Sequence, residues 1–367
     1  MRVAIAGGSM AGLFAAALLR QAGHEVMVFE RSSAGLAGRG AGLVAQQEVF
    51  TLLQAIGREE VALIGVMAKQ RVTLDRSGRT IERDPRPQMQ ISWDHLYLAV
   101  RSLLDDDSYR TGQSVLGAGQ DDGKAWLQLE NGGRIDADLV VGADGIGSAV
   151  RAAVTGSPGD PQYAGYVAWR ALLPEQALPA VADRTLSDQF AFFHMPGGQA
   201  LGYTVAGPAG EVDRGRRRYN CVWYRRVADL RAALTDAGGR THPFSLPPGG
   251  VDDAARHRLI EDAHRLLPPP FAAVFAAEDR PFVQAIFDLE TPTMTNGRLV
   301  LIGDSAFVAR PHTAMGVAKA AGDALALSAA VAAGWTDSAR AAFERERVAM
   351  GRSIVSYGKR LGASLGP

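Results

Sequence analysis

The chain is poor in several things, and each scarcity excludes something. Of its 367 residues only one is cysteine, Cys221. An intrachain disulfide and a thiolate-rich zinc or iron–sulfur site are therefore ruled out. There is no surplus of charge: 39 Lys and Arg stand against 39 Asp and Glu, for a formal net of +0. Nucleic acids and anionic membrane surfaces select basic excess, so neither is expected as the main partner. No apolar run is long enough to span a bilayer. The opening MRVAIAGG enters a structural motif at once, without the basic start, apolar stretch and cleavage site of a secretory leader, so a cytoplasmic chain is expected. His257 and His264 lie on a charged helical segment, which reads as a solvated face and implies no metal site. What is present is ordinary for folded protein, with 47% apolar and 21% charged residues, and the length suits about two domains.

Residues 2–6, RVAIA, read as a short buried strand. Gly7-Gly8-Ser9-Met10-Ala11-Gly12 follows, then a helical pattern stopped by Gly23, then the apolar strand EVMVFE ending in Glu30. This is a βαβ unit with an acid at the tip of its second strand. Gly7 permits the tight turn, and Gly12 lets helix and strand pack closely. Backbone N–H groups at the helix start face a pyrophosphate, and the helix dipole favours its charge. Glu30 suits a ribose diol and repels a 2′-phosphate. The middle position of GxGxxG is Ser9, a small replacement whose hydroxyl is able to bond a phosphate oxygen. In this context the turn is expected to bind a dinucleotide, although it does not by itself separate NAD from FAD.

Two further motifs make that choice. Residues 138–151 read DLVVGADGIGSAVR, a buried strand followed by Asp144-Gly145 and a small-residue turn. Residues 298–324 read RLVLIGDSAFVARPHTAMGVAKAAGDA, a buried strand ending in Gly303-Asp304, then a loop with Pro311, then a long Ala-rich helix from near Ala314. An acid at the carboxyl end of a parallel strand sits in the ligand crevice, where it can accept bonds from a sugar alcohol. The helix start, Ala314, Gly316, Val317 and Ala318, offers free N–H groups to an electron-rich ring edge. A flavin has both parts, a ribityl chain and a pyrimidine edge; NAD has neither.

In this order and at these separations the three motifs resemble those of the flavoprotein aromatic hydroxylases of the p-hydroxybenzoate hydroxylase type, over nearly the whole chain. The segments GGSMAG, GAGLVAQQE, YAGYVAWR and ARPHTAMGVAKA are similar to those of the members that act on pyridine rings. The resemblance implies that FAD is held by Gly7, Ser9, Met10, Ala11, Gly12, Glu30, Arg31, Gln46, Asp144, Asp304, Pro311, Ala314, Gly316, Val317 and Ala318. It implies NADH or NADPH as a transient electron donor, since no second GxGxxG is present, and O₂ as co-substrate. The implied chemistry is hydroxylation of an electron-rich ring through a flavin C4a-hydroperoxide. The chain departs from the commoner family pattern at Phe307, Lys319 and Trp93, where many members carry His, Asn and Arg.

The implied fold is α/β: a Rossmann-like FAD-binding domain (1–70, 91–160 and 291–367, with C-terminal helices) interleaved with a mostly antiparallel substrate-binding sheet (71–90 and 161–290). Residues 71–84 read as a hairpin turning at Ser77-Gly78, and 163–173, 189–195, 200–207, 217–226 and 281–290 read as strands. The stretch 337–363 reads as a surface helix that serves a monomer or a homodimer equally well. Tyr203 and His312 are the candidate groups for bonding or deprotonating the ring hydroxyl. Phe193 and Trp223, with Trp169 and Tyr224, are candidates for an aromatic slot; alternation sends Trp223 and Tyr224 to opposite faces. Arg170 and His194 are weaker candidates. Phe192 and Val205 stand where benzoate hydroxylases place a tyrosine and an arginine, so a neutral or hydroxylated ring, a small aromatic, is expected over a benzoate. The alternatives are a tailoring hydroxylase or epoxidase of a larger natural product, an amine or hydroxy-acid oxidase, and a catalytically silent flavin-binding protein.

Overall fold

The computed structural model describes residues 1–36, 38, 42–44 and 46–365. Gly40, Ala41 and Ala45 of the GAGLVAQQE segment lie outside the described residues. The apolar runs that precede the three motifs become neighbouring strands of one sheet. Its order is Thr295–Asn296, Leu299–Leu301, Leu139–Gly142, Arg2–Ala6, Glu25–Glu30, Tyr109–Thr111. All pairs but the first are parallel. Continuous apolar strands of this kind require cover on both faces, and Ala4, Ile5, Val140, Val141 and Val300 are fully buried. The helices Met10–Gln21 and Gly316–Ala332 pack on one another, with Ala15, Ala16, Ala321 and Ala324 wholly buried. Alanine carries no side chain beyond Cβ, so the two axes approach closely and the two motif-bearing turns lie side by side.

The second sheet runs Ser245–Leu246, Phe282–Glu290, Gln162–Pro174, Arg218–Arg226, Gly198–Val205, Gln189–Met195, Gln70–Leu74, Thr80–Asp84. It is antiparallel except where Gln189–Met195 meets Gln70–Leu74. The expected hairpin forms at its edge: the Asp75 carboxylate accepts from Ser77 N (2.9 Å) and Arg79 N (3.0 Å), while Gly78 takes φ +87°. Gln88–Ser92 does not join this sheet. It pairs with Gly65–Ala68 and Gly42–Leu43 in a small sheet that packs on the strand Gly198–Val205. The reason is local: Pro85 and Pro87 break the ladder after Asp84.

One face of the large sheet is a hydrophobic core with Trp169, Phe193, Cys221, Trp223, Phe271 and Phe275. The helices Asp253–Leu266 and Pro269–Ala277 contribute to it. The other face carries Tyr166, Ala168, Leu201, Val222 and Tyr224 and turns toward the nucleotide-binding half. The chain closes with the helix Asp337–Leu361, which packs on Gly316–Ala332.

Candidate active site

The three motif loops converge. The turn at Gly7 lies so close to the second loop that a Cβ there would meet Ala143 O at 2.3 Å. A Cβ on Gly303 would meet Ala11 Cβ at 2.6 Å, which seats the third loop on the first helix. Ser305 Oγ donates to Gly142 O (2.6 Å), and the buried Arg151 donates from Nε to Ser305 O (2.7 Å) and from Nη2 to Ile146 O (2.8 Å). Arg151 thus binds the second and third loops to one another.

At the first turn Gly12 is sterically required, since a Cβ would sit 1.9 Å from Gly7 O. Gly8 is also restricted, for a reason the motif reading missed: the Tyr109 ring fills its Cβ space, and Tyr109 Oη donates to Gly8 O (2.8 Å). Ser9 is the residue before the helix Met10–Gln21, and its side chain makes no capping bond. Met10 and Ala11 are buried in the core, which leaves only their backbone toward the turn. Glu30 is buried and accepts from Gly8 N (2.9 Å) and Ser32 N (2.8 Å). A carboxylate has about four lone-pair sites, so acceptor capacity remains for a diol. Arg31 is exposed beside it.

Asp144 behaves differently from Glu30. It accepts from Ser148 Oγ (2.5 Å) and Ala149 N (2.7 Å), so its carboxylate is engaged within its own turn rather than reaching out of it. Burial pushes its pKa up, and those bonds oppose the shift. The acid of the third loop does face outward: the Asp304 side chain is 51% exposed. Behind it Lys319 is buried with no hydrogen-bond acceptor on Nζ, 3.5 Å from Asp304 Oδ1 and 4.0 Å from Asp323 Oδ2. Asp323 accepts from Gly303 N (2.8 Å) and Arg347 Nε (2.7 Å). The long C-terminal helix therefore anchors this loop through Arg347.

The helix expected to open near Ala314 opens at Gly316. Pro311–Thr313 is a short 3-10 turn, and Ala314 adopts a left-handed φ of 53° that no α-helix accommodates. Lys319 N is the first to find a carbonyl within the helix, Met315 O, so Gly316, Val317 and Ala318 keep the unbonded N–H groups of a helix start. Gln46 Nε2 donates to Ala314 O (2.9 Å), bringing the loop at 46 to the same place. A flavin fits this geometry on three counts: a glycine-tight turn, an outward acid with a buried cation behind it, and a free helix start in one crevice.

Across from these loops stand Tyr203, Tyr224 and Tyr166 on the large sheet, with His312 against them. Tyr203 Oη donates to Gly42 O (3.0 Å), and burial raises its pKa. His312 Nε2 lies 2.9 Å from Tyr166 Oη, and its ring is 4.2 Å from that of Tyr224. Burial, reinforced by the Arg310 charge, lowers the His312 pKa to about 4, and burial raises Tyr166 to about 12. Tyr166 thus holds its proton beside a neutral imidazole, and the imidazole tautomer decides which of the two donates. Arg310 itself is fixed by Asp288 (2.8 Å). Phe193 and Trp223, by contrast, point into the core behind the sheet, as does Trp169. The period-2 alternation of a strand sends Tyr224 forward and Trp223 back, so neither Phe193 nor Trp223 lines the crevice. Also unanticipated is the buried pair Asp94–Arg218 (2.9 Å), in which Asp94 additionally accepts from Gly38 N (2.9 Å). It joins the helix Trp93–Arg101 to the large sheet, and no sequence spacing signals it because the partners are far apart in the chain.

The fold and this crevice define a FAD-dependent aromatic monooxygenase, and the chain belongs to that family. Residues 163–288 match the family model described as FAD binding domain-like, and residues 5–52 match NAD(P)-binding Rossmann-like domain. The chain is 32% identical to 2,6-dihydroxypyridine 3-monooxygenase of Paenarthrobacter nicotinovorans over 331 residues, which are 89% of this chain and 82% of that enzyme. The solved 2,6-dihydroxypyridine-3-hydroxylase of Arthrobacter nicotinovorans superposes with a TM-score of 0.92 at 30% identity, over 100% of this chain and 92% of the other. The chain is also 28% identical to 3-amino-4-hydroxybenzoate 2-monooxygenase of Streptomyces cremeus, over 89% of this chain and 77% of that one. A Klebsiella pneumoniae protein solved with FAD and uric acid shares the fold, with a TM-score of 0.78 at 23% identity over 100% of this chain and 89% of that one. Among the described residues no helix is long and apolar enough to cross a membrane.

Proposed function

We propose that the chain hydroxylates a hydroxylated pyridine or a related phenol, taking electrons from NADH or NADPH and one oxygen atom from O₂. The balance is ring–H plus O₂, NAD(P)H and H⁺ giving ring–OH, NAD(P)⁺ and water. The observation that carries this reading is the polar face of Tyr203, Tyr224 and Tyr166 with His312, set against the Asp304 and Gly316 loops rather than on the core side of the sheet. The likeness to a dihydroxypyridine monooxygenase supports the substrate class.

Bound FAD supplies the transfer of electrons to O₂ and the reactive oxygen atom. The chain's own residues do the rest. In this reading the 7–12 turn and Glu30 hold the adenosine diphosphate part, with Arg31 beside it, and Asp144 shapes the neighbouring turn. Asp304 holds the ribityl chain, braced by Lys319. The N–H groups of Gly316, Val317 and Ala318 meet the pyrimidine edge and stabilise negative charge there. Pro311, Ala314 and Gln46 fix the loop that carries them.

Tyr203 and His312 face the ring. Tyr203, its proton held by burial, and His312, kept neutral by burial, orient the oxygen of a ring that ionises. An ionised ring is the more electron-rich nucleophile. The apolar residues Leu201 and Val222 line the same face and keep water from it. Dependence on an NAD(P)H pool supports a cytoplasmic setting. The test is a panel of hydroxypyridines, phenols and benzoates offered to the FAD-loaded protein. A rise in NAD(P)H consumption with a product 16 mass units heavier is expected for hydroxypyridines. Equal consumption with and without every ring in the panel removes the reading.

A further inference from the structure

We infer that Arg170 is the residue that binds the ring as its anion, pairing with the deprotonated ring oxygen. The inference rests on the proposed function and names the charge state its substrate takes. Arg170 lies on a different strand from Phe192 and Val205, the positions that made a benzoate unexpected.

The strand Gln162–Pro174 alternates cleanly. Val167, Trp169, Ala171 and Leu173 enter the core behind the sheet, while Tyr166 and Ala168 face the crevice. Arg170 falls in the second set. It stands opposite Val222, which in turn stands opposite Leu201. The row on one side holds Asn220 and Tyr203, and the row on the other holds Tyr224. The guanidinium is thus placed between the two tyrosines that frame the ring site. Its charge acts on both hydroxyls, in each case opposing the effect of burial.

The site is charged and unsatisfied. Arg170 Nε is buried without a hydrogen-bond partner, and among the described residues no carboxylate lies within ion-pair distance of the side chain. Arg170 as a whole is half-buried, whereas the fully buried arginines of this chain behave otherwise. Arg217 is paired with Glu175, Arg218 with Asp94, Arg347 with Asp323, and Arg151 with backbone carbonyls. A structural guanidinium is normally satisfied, because an unpaired charge out of water is costly. Next to it Asn220 is wholly buried, its amide in no well-formed hydrogen bond and acting only on the Tyr203 hydroxyl. Unsatisfied polar groups concentrated beside Tyr203 mark a surface built for a ligand. An anionic oxygen on a flat ring supplies the missing partner for a planar guanidinium.

The titratable groups on this face do not obscure a test. Burial raises Tyr166, Tyr203 and Tyr224, His312 is lowered to about 4, and Arg310 is held charged by Asp288. None of these changes charge between pH 6 and 9, and His194, exposed on the same face on the strand Gln189–Met195, is removed by repeating the titration in H194N, so the pH dependence that remains belongs to the ligand.

The experiment titrates FAD-loaded protein with 2,6-dihydroxypyridine, read by the flavin absorbance change, from pH 6 to 9, in wild type, R170K and R170M. Wild-type binding is expected to tighten as the ligand ionises and then level off. R170M is expected to lose roughly 30- to 100-fold on the plateau, and its pH dependence with it, while R170K keeps part of both. FAD affinity and melting temperature stay at wild-type values. An R170M protein that binds within about threefold of wild type, with the same pH profile, overturns the inference and leaves the proposed function standing. A loss of FAD or of stability in both variants overturns it too, by making Arg170 structural. Equal loss in R170M for 2,6-dimethoxypyridine, which cannot ionise, also counts against it. A wild type that binds no hydroxylated ring removes the proposed function and the inference together.

Discussion

Tyr166 Oη and His312 Nε2 lie 2.9 Å apart, joining the large sheet to the loop that precedes the helix Gly316–Ala332. The contact holds the imidazole against Tyr166 and Tyr224 and buries most of it. His312 is consequently neutral in the folded protein down to about pH 4, whereas an unfolded chain binds its proton near 6.5. Between those values the unfolded state holds more protons, so stability falls as pH drops through the window. The full effect is on the order of 3 kcal/mol. Melting temperature measured from pH 7 to 4.5 should therefore decline more steeply in wild type than in H312N, and parallel curves would dismiss the coupling.

Lys319 and Asp304 give a test that separates cofactor binding from stability. Asp304→Ala removes the outward acid, and FAD affinity should weaken about 10- to 100-fold. Lys319→Met removes a buried ammonium whose Nζ has no hydrogen-bond acceptor, and Asp323 retains Arg347 and Gly303 N. The FAD-free variant should melt at or above the wild-type temperature, since exchanging a buried charge for an apolar chain is often neutral or stabilising. Its FAD affinity should nevertheless fall about tenfold. Fluorescence titration and thermal melts measure both, and unchanged FAD affinity in either variant removes that residue from the site.

The first turn predicts opposite outcomes for two of its positions. Gly12→Ala places a methyl 1.9 Å from Gly7 O, so the turn must open and FAD should no longer be retained on purification. Ser9→Gly restores the commoner motif at a position whose side chain caps nothing, and FAD affinity should stay within about threefold of wild type. A yellow, FAD-saturated G12A protein would show that the close packing of helix on strand is dispensable.

The buried pair Asp94–Arg218 should behave as a mutual dependency. Removing one partner leaves the other charge buried and unpaired, at about 3 to 5 kcal/mol. Asp94→Asn and Arg218→Met should each cost that much in urea unfolding, and the double variant should cost far less than their sum. Additive losses would mean that the two act through separate contacts.

Much of this was legible in the sequence wherever short-range pattern carries the physics. The strand Arg2–Ala6, the turn at Gly7 and the acid at Glu30 follow from apolar periodicity and glycine sterics within one βαβ unit. Gly303-Asp304 was readable for the same reason. The aromatic slot was not. Alternation separates Trp223 from Tyr224 but does not say which face of the sheet meets the nucleotide-binding half, and Trp223 and Phe193 proved to be core. The ion pairs that fix the loops, Arg310 with Asp288 and Arg347 with Asp323, arise only when distant segments meet. Arg170 was underweighted because its significance lies in having no partner, a property of the folded surroundings and not of spacing.

These loops and this sheet face are proposed to insert, together, one atom of molecular oxygen into a hydroxylated ring. That insertion is tested most directly by turning over FAD-loaded protein with NADH or NADPH, 2,6-dihydroxypyridine and ¹⁸O₂, and weighing the product. One ¹⁸O per product molecule and one per water formed are expected, with one NAD(P)H consumed. A product whose new oxygen derives from solvent, or consumption that yields only hydrogen peroxide, would contradict it.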